Sequence, residues 1–492
     1  MTNTLGMNYL ASLSRFVPEV LASITMLGLL VIEASFSNRS KQIKARVVYG
    51  FATTGLVVTI LALVENLQLP TSQIFYGSIS IDTFSSSMKL IATISTLGVI
   101  YLSSFSKEIY SFLKTEFVVM AIGVLIGCML LASANNFLTL YLGVETLSIL
   151  SYVLASFKKV DERSNEAGLK YVLYGGFTAG IMLFGISHIF GVVGSIGYAE
   201  VAAKLGLMGN MDKLILIPSF ILFFAGLGYK ISCVPFHMWT PDVYEGSPTP
   251  VTAFFSLVPK FGGLVALMKI SILIGVGQNV VSITWIGLLS LVAALTMSVG
   301  NISALGQKSV KRMLAYSSIA HAGNMILAIV VLKDGLNALV FYAITYTLMT
   351  LVAFYIVSII HDKYGSDHFD RFNGLITRNP AMAIAFTIIL FSLAGLPPFG
   401  GFIAKFNIIS IIVKKSYYTL AVIAVLNSVI SLYYYLRLVR LMIFKQSEDI
   451  SEISGFNFSR QTVVAMMTLT VVILGLFWNN LFDYLSRTVA SY

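Results

Sequence analysis

The sequence predicts an all-α polytopic membrane protein of about fourteen transmembrane helices, and three observations predict it. Of 492 residues, 57% are apolar and only 11% are charged, a balance suited to lipid rather than water. Apolar runs of roughly 20 residues, enough to cross a hydrocarbon core of about 30 Å, recur along the whole length and call for helices, not a barrel. Lysine and arginine gather on alternate loops. With the N-terminus outside, nineteen fall in inside loops, among them Arg39, Lys107, Lys159, Lys308 and Arg437, seven fall outside and six lie within spans. The asymmetry predicts an N-out, C-out topology and explains the net charge of +10 without a nucleic-acid partner.

In order, the expected spans are 13–36, 46–65, 85–106, 115–134, 136–156, 169–195 and 213–236 in the first half. They continue as 249–275, 282–303, 313–332, 335–360, 381–413, 417–444 and 462–485. The first has no small-residue cleavage site after it and reads as a retained helix. No linker rich in Pro, Ser or charge divides the chain, and the polar stretches 68–87 and 361–380 are loop-sized, so residues 1–492 form one membrane domain. Cys128 and Cys233 sit in apolar surroundings, which implies neither a disulfide framework nor a metal site. His and Cys do not cluster at ligand spacing, and Gly175-Gly176 and Gly262-Gly263 read as close helix packing rather than phosphate cradles.

A short internal echo links the seventh and twelfth spans. Ala225-Gly226-Leu227 precedes Pro235-Phe236, Ala394-Gly395-Leu396 precedes Pro398-Phe399, and each run holds one lysine, Lys230 or Lys405. The spans are five apart, so equivalent helices cross in opposite directions. That is the pattern of an inverted repeat with broken helices 7 and 12, a pointer to an ion path at mid-membrane.

Charges buried in such spans cost at least about 2.5–3.5 kcal/mol each on insertion scales, and they usually serve a pathway. Glu145 is expected to be the only deeply buried acid, with helix packing as its bland alternative. Lys230 precedes Pro235 and is otherwise a cap for carbonyls freed by the break. Lys260 lies at the centre of the eighth span and is otherwise half of a fixed salt bridge with Glu145. Lys405 follows Pro397-Pro398 and Gly400-Gly401 and is otherwise a lysine near the membrane surface. Lys170 is as well explained by an interfacial anchor, His321 by packing, and His237 by a loop-facing cap. Glu19 and Glu33 read first as contact residues near span ends, and Asp242 and Glu245 as solvated loop acids. Burial disfavours an ammonium and a nearby carboxylate favours it, so making and breaking one Glu145–Lys230 pair is able to drive a proton from Lys230 toward Lys260.

The runs GLGYKISCVPFHMWTPDVYEGSPTPVTAFFSLVPK, KRMLAYSSIAHAGNM and LAGLPPFGGFIAKF resemble the antiporter-like membrane subunits of NADH:quinone oxidoreductase, respiratory complex I, with similarity from the fourth span through the thirteenth. Pro18-Glu19, IDTFSSSMK before the third span, Lys405 where a paralogue carries glutamate, and an end after the fourteenth span without a lateral helix match the N-type branch. The resemblance implies two inverted five-helix repeats, helices 4–8 (115–275) and 9–13 (282–444), flanked by helices 1–3 (13–106) and helix 14 (462–485). It implies that Glu145 and Lys230 form a modulating pair, that Lys260 relays along a central polar axis, that Lys405 faces the outlet, and that His321, Lys170 and His237 are accessory. It further implies a proton-translocating subunit, non-redox in itself, of a bacterial inner-membrane complex. Paralogous membrane subunits are its neighbours, and flavin, iron–sulphur clusters and quinone lie in partner subunits, none bound by this chain. Two other readings use the same residues: a subunit of a multisubunit cation (Na+)/proton antiporter, and a non-conducting membrane scaffold.

Overall fold

The computed structural model describes residues 12–36, 41–110, 112–158, 160–275, 279–446, 456 and 458–489, so Arg39 and Lys159 fall outside the described residues. Its helices are α1 Val17–Ser35, α2 Lys41–Asn66, α3 Thr83–Phe105, α4 Lys114–Ser133, α5 Phe137–Ala155, α6 Glu162–Val193 and the short α7 Tyr198–Leu207. There follow α8 Asn210–Ile231, α9 Trp239–Gly246, α10 Thr249–Ile274, α11 Val280–Leu305, α12 Val310–Val330 and α13 Leu336–Tyr364. The last six are α14 Leu375–Arg378, α15 Pro380–Ala394, α16 Gly400–Lys414, α17 Tyr418–Phe444, α18 Phe458–Leu476 and α19 Trp478–Val489. Thirteen helices among the described residues are long and apolar enough to cross a membrane. The twelfth expected span is the exception, because it is two half-helices, α15 and α16, and with it the number reaches the expected fourteen.

Helix ends follow local chemistry. Asp82, Asn136, Asp161, Ser309 and Asn379 each accept a backbone N–H of the first turn, and Gly194, Gly365 and Gly395 close helices in the left-handed conformation. Three expected boundaries shift for physical reasons. The PDVYEG segment, expected as loop, forms α9, because Pro241 occupies its first turn, where a missing N–H costs nothing. The expected span 462–485 is not one helix: α18 stops at Leu476 as the sequence turns from apolar to the polar-apolar mixture of α19. Residues 72–81, expected as loop, form an antiparallel hairpin, β1 Ser72–Ile74 with β2 Ile79–Ile81, that leads into Asp82.

Apolar surface remains on the outer helices, as lipid contact requires: Val31, Leu61, Phe177, Ile283 and Val429 are all exposed. The core is made by α10, α12 and α13, which are buried almost throughout. α4 and α5 approach each other closely at a pair of glycines. A Cβ on Gly127 of α4 would lie 2.6 Å from the Leu147 backbone nitrogen of α5, and one on Gly143 of α5 would lie 2.8 Å from the Leu131 nitrogen of α4. That crossing fixes the stretch of α5 bearing Glu145, two residues beyond Gly143. Gly143→Val is therefore expected to force the pair apart at about 1–3 kcal/mol. Thermal unfolding of the detergent-solubilised protein should show a lower midpoint than for the exposed control Gly180→Ala, whose Cβ meets nothing within 4 Å.

Candidate functional site

Both breaks share one pattern. α8 ends at Ser232 in the left-handed conformation, and Pro235-Phe236 follow; α15 ends at Gly395 in the same conformation, and Pro398-Phe399 follow. In this register the left-handed caps coincide three residues before the prolines, so the Ala-Gly-Leu triplets of the sequence echo are not equivalent. Lys230 lies before its break and Lys405 beyond its own.

Lys230, buried in the last turn of α8, makes no hydrogen bond among the described residues, and its Nζ stands 5.5, 5.4 and 5.6 Å from the ring centroids of Tyr152, Tyr171 and Tyr229. The tyrosines are held by stacking and hydrogen bonds: Tyr171 stacks on Trp239 at 4.4 Å, the Trp239 Nε1 donates to the Tyr229 carbonyl, and the Tyr229 hydroxyl donates to the Tyr171 carbonyl. An ammonium over aromatic faces is stabilised electrostatically, by about 2 kcal/mol where desolvated. Glu145 is within electrostatic reach of Lys230 but forms no ion pair with it, and its Oε1 is buried without a hydrogen-bond partner among the described residues. It is only partly buried, whereas Glu19, Asp82 and Glu108 are fully buried, so the expectation of a single deep acid is corrected.

Lys260, in mid-α10, is fully buried and donates to the Ser318 carbonyl at 3.1 Å and hydroxyl at 2.9 Å, with the Tyr244 ring centroid 5.8 Å away. It is not salt-bridged to Glu145. Ser318 and His321 lie three residues apart on one face of α12. The His321 ring meets the Tyr342 hydroxyl of α13 through Nδ1 at 2.7 Å and the Tyr435 hydroxyl of α17 through Nε2 at 3.4 Å, and Tyr435 in turn bonds Ser317. Lys405, buried rather than near the surface, donates to the Leu393 and Ala394 carbonyls at 3.0 and 2.9 Å. The negative end of the α15 dipole thus faces an ammonium. Carbonyl capping, the bland alternative for Lys230, is what Lys405 does. Lys230, Lys260, His321 and Lys405 therefore sit on α8, α10, α12 and α16, and hydroxyls or backbone carbonyls contact the last three.

The remaining expected positions lie elsewhere. Lys170 is half-exposed and pairs with Glu166 and Asp242, each at 2.7 Å, and Arg312 pairs with Asp242 and Glu245 at 3.0 and 2.6 Å. Asp242 and Glu245 are ion-paired rather than simply solvated. His237 is in the α8–α9 break, its Nδ1 buried without a hydrogen-bond partner among the described residues. Glu33 pairs with Lys44.

Reading the sequence missed Glu108, in the loop between α3 and α4. Its Oε1 is 2.9 Å from Lys158 and 3.6 Å from His361, and its Oε2 accepts the Thr249 N–H that starts α10. Burial works against its charge, but Lys311, His361 and Lys158 outweigh it and hold the carboxyl down at about 2. An acid among the basic residues of a basic loop was the available signal. It missed equally that Glu19 pairs with Lys89 and Asp82 with Lys269, inside the bundle.

A family model described as NADH:quinone oxidoreductase/Mrp antiporter, TM, matches residues 134–431. The chain is 37% identical, over 98% of each sequence, to a protein of Sorangium cellulosum named NADH-quinone oxidoreductase subunit N 2. It is similar to a chain of respiratory complex I from Thermus thermophilus, with 30% identity, a TM-score of 0.80, and 95% of this chain and 99% of that one covered. A chain of the Mrp complex from a Dietzia species shares the fold at 20% identity, with a TM-score of 0.79 and coverage of 98% and 97%.

The geometry at Glu108 sets a test. Its carboxyl is depressed below the ordinary 4.5, so its stabilisation is fully present above that pH and is lost only as pH falls toward about 2. Glu108→Gln leaves Lys158 and Lys311 without their counter-charge and is expected to cost about 3–5 kcal/mol at neutral pH. Thermal unfolding of the purified protein should show a lower midpoint for the variant, with the gap unchanged between pH 8 and pH 6.

Proposed function

The chain belongs to the family of NADH-quinone oxidoreductase N subunits, and we propose that it carries protons across the membrane, driven by electron transfer from NADH to quinone in partner subunits. The observation that carries the proposal is Lys230: a buried ammonium with no hydrogen-bond partner among the described residues, held by three tyrosine rings, with a carboxylate in reach but not in contact. Such a pair is able to close and reopen, and each change alters the cost of keeping the proton on Lys230.

In this reading Glu145 modulates Lys230, Lys260 receives the proton, His321 and its tyrosines continue the path, and Lys405 is the last carrier. Lys170 and His237 act at the edge of the path on the basic side. The chain is a non-redox subunit of a translocase. Flavin, iron–sulphur clusters and quinone belong to its partners, and paralogous antiporter-like subunits are its membrane neighbours. The basic side faces the cytoplasm of a bacterial inner membrane, and both chain ends lie on the periplasmic side. Helices 4–8 and 9–13 form two inverted repeats, a reading supported by the two left-handed caps before Pro-Phe in oppositely directed helices. Likeness to the Mrp chain is likeness of fold and leaves the redox-coupled reading in place.

Two variants test this in the assembled complex reconstituted into liposomes. Lys230→Ala is expected to assemble and to lose proton translocation, and a wild-type number of protons per NADH would refute the proposal. Glu145→Gln should lower proton movement and NADH oxidation together, by roughly tenfold for each 1.4 kcal/mol of lost coupling; undiminished coupled turnover would remove Glu145 from the mechanism.

A further inference from the structure

At the end of the bundle opposite the basic loops, beneath the hairpin, lies a second group of charges that the path above does not use. Lys89 of α3 meets Glu19 of α1 at 2.5 Å, and Lys269 of α10 meets Asp82 at 3.1 Å and the Ser80 hydroxyl at 2.9 Å. All four side chains are removed from solvent, with relative exposures of 1% for Glu19, 2% for Asp82, 1% for Lys89 and 4% for Lys269. Asp82 is further held by the Ser85 amide and hydroxyl at 2.7 and 2.8 Å. The second carboxylate oxygen of Glu19 is buried and accepts no hydrogen bond among the described residues.

Three features tie this group to the central lysines. Lys260 and Lys269 share α10, nine residues and therefore about 13.5 Å apart along its axis. Cys128 of α4 fills part of the interval, its thiol donating to the Val258 carbonyl at 3.4 Å and lying 3.3 Å from the Cβ position of Gly262, within electrostatic reach of Lys89. Along α3, Asp82, Ser86, Lys89, Thr93 and Thr96 recur at spacings of four and three, a buried polar stripe on a single helix face. A pair of buried salt bridges is a poor way to stabilise a bundle, because apolar residues of the same volume do as well or better.

We infer that Glu19, Lys89, Asp82 and Lys269 form a proton-carrying site on the side opposite the basic loops, fed from Lys260, through which protons leave the first half of the molecule. One proton enters as one leaves. Protonation of a carboxylate removes the counter-charge of its lysine, whose ammonium then releases a proton outward, and transfer from the carboxylic acid to the amine restores the ion pair. This site rests on the proposed proton translocation and would make Lys405 not the sole outlet.

Arginine separates this role from a structural latch, since a guanidinium keeps the ion pair but does not give up its proton. Lys269→Arg and Lys89→Arg are compared with Lys230→Ala in the whole complex in liposomes, measuring subunit assembly, NADH oxidation and protons moved per NADH. Expected is an assembled, NADH-oxidising complex with fewer protons per NADH. Where arginine does not fit, Asp82→Asn/Lys269→Met removes the pair without stranding a charge, and the same loss is expected. A wild-type ratio in an assembled variant overturns the inference, as does failure of all three variants to assemble, which marks the pairs as structural. If Lys230→Ala also pumps normally, the proposed function fails; if Lys230→Ala alone is defective, only the outlet fails.

Discussion

An ammonium in a bilayer has to be solvated by something, and the described structure solvates its central lysines with neutral groups. Lys230 has tyrosine faces, Lys260 a serine, and Lys405 the carbonyls at the end of a half-helix. A carboxylate that stayed ionised beside the lysine would hold the proton too firmly for transfer, and bare hydrocarbon would expel the charge. Aromatic faces and dipoles lie between those extremes. Helix breaks are the means of supplying them, since an intact helix spends its carbonyls on itself.

The rest of the architecture serves this arrangement. The α4–α5 glycine crossing sets where Glu145 stands, the Trp239 stack sets where the tyrosines stand, and Ser318 places His321 within one helical turn of Lys260's contact. Ion-paired acids sit toward the two ends: Glu108 with Lys158 on one side, Glu19–Lys89 and Asp82–Lys269 on the other. The middle is poor in counter-charge and the ends are rich in it.

Much of this was legible in one dimension. A lysine inside an apolar run is conspicuous because nothing nearby in sequence accounts for it, and Lys230, Lys260 and Lys405 all lie buried in the bundle. Proline and glycine marked both breaks, although the register came out differently, because the left-handed cap, Ser232 in one case and Gly395 in the other, leaves no common residue type to align. Glu19, Asp82 and Glu108 were under-read for a different reason. Distance from a span end measures depth in the membrane, not cover by neighbouring protein, and the partners that meet them, Lys89 for Glu19, Lys269 for Asp82 and the α10 N-terminus for Glu108, belong to distant segments. α9 was hidden because proline and glycine signal a turn equally well when they start and stop a helix.

Of α10's 26 residues only Ile272 is not fully buried, and the helix carries two lysines and an internal proline. It has no face to offer to lipid. During synthesis such a segment gains little by entering the bilayer alone, and its lysines resist the move. Its membrane insertion must therefore be collective, completed when α3, α4, α12 and α13 close around it. The most functionally charged helix of the molecule is then also the one whose place in the membrane depends on its neighbours having arrived.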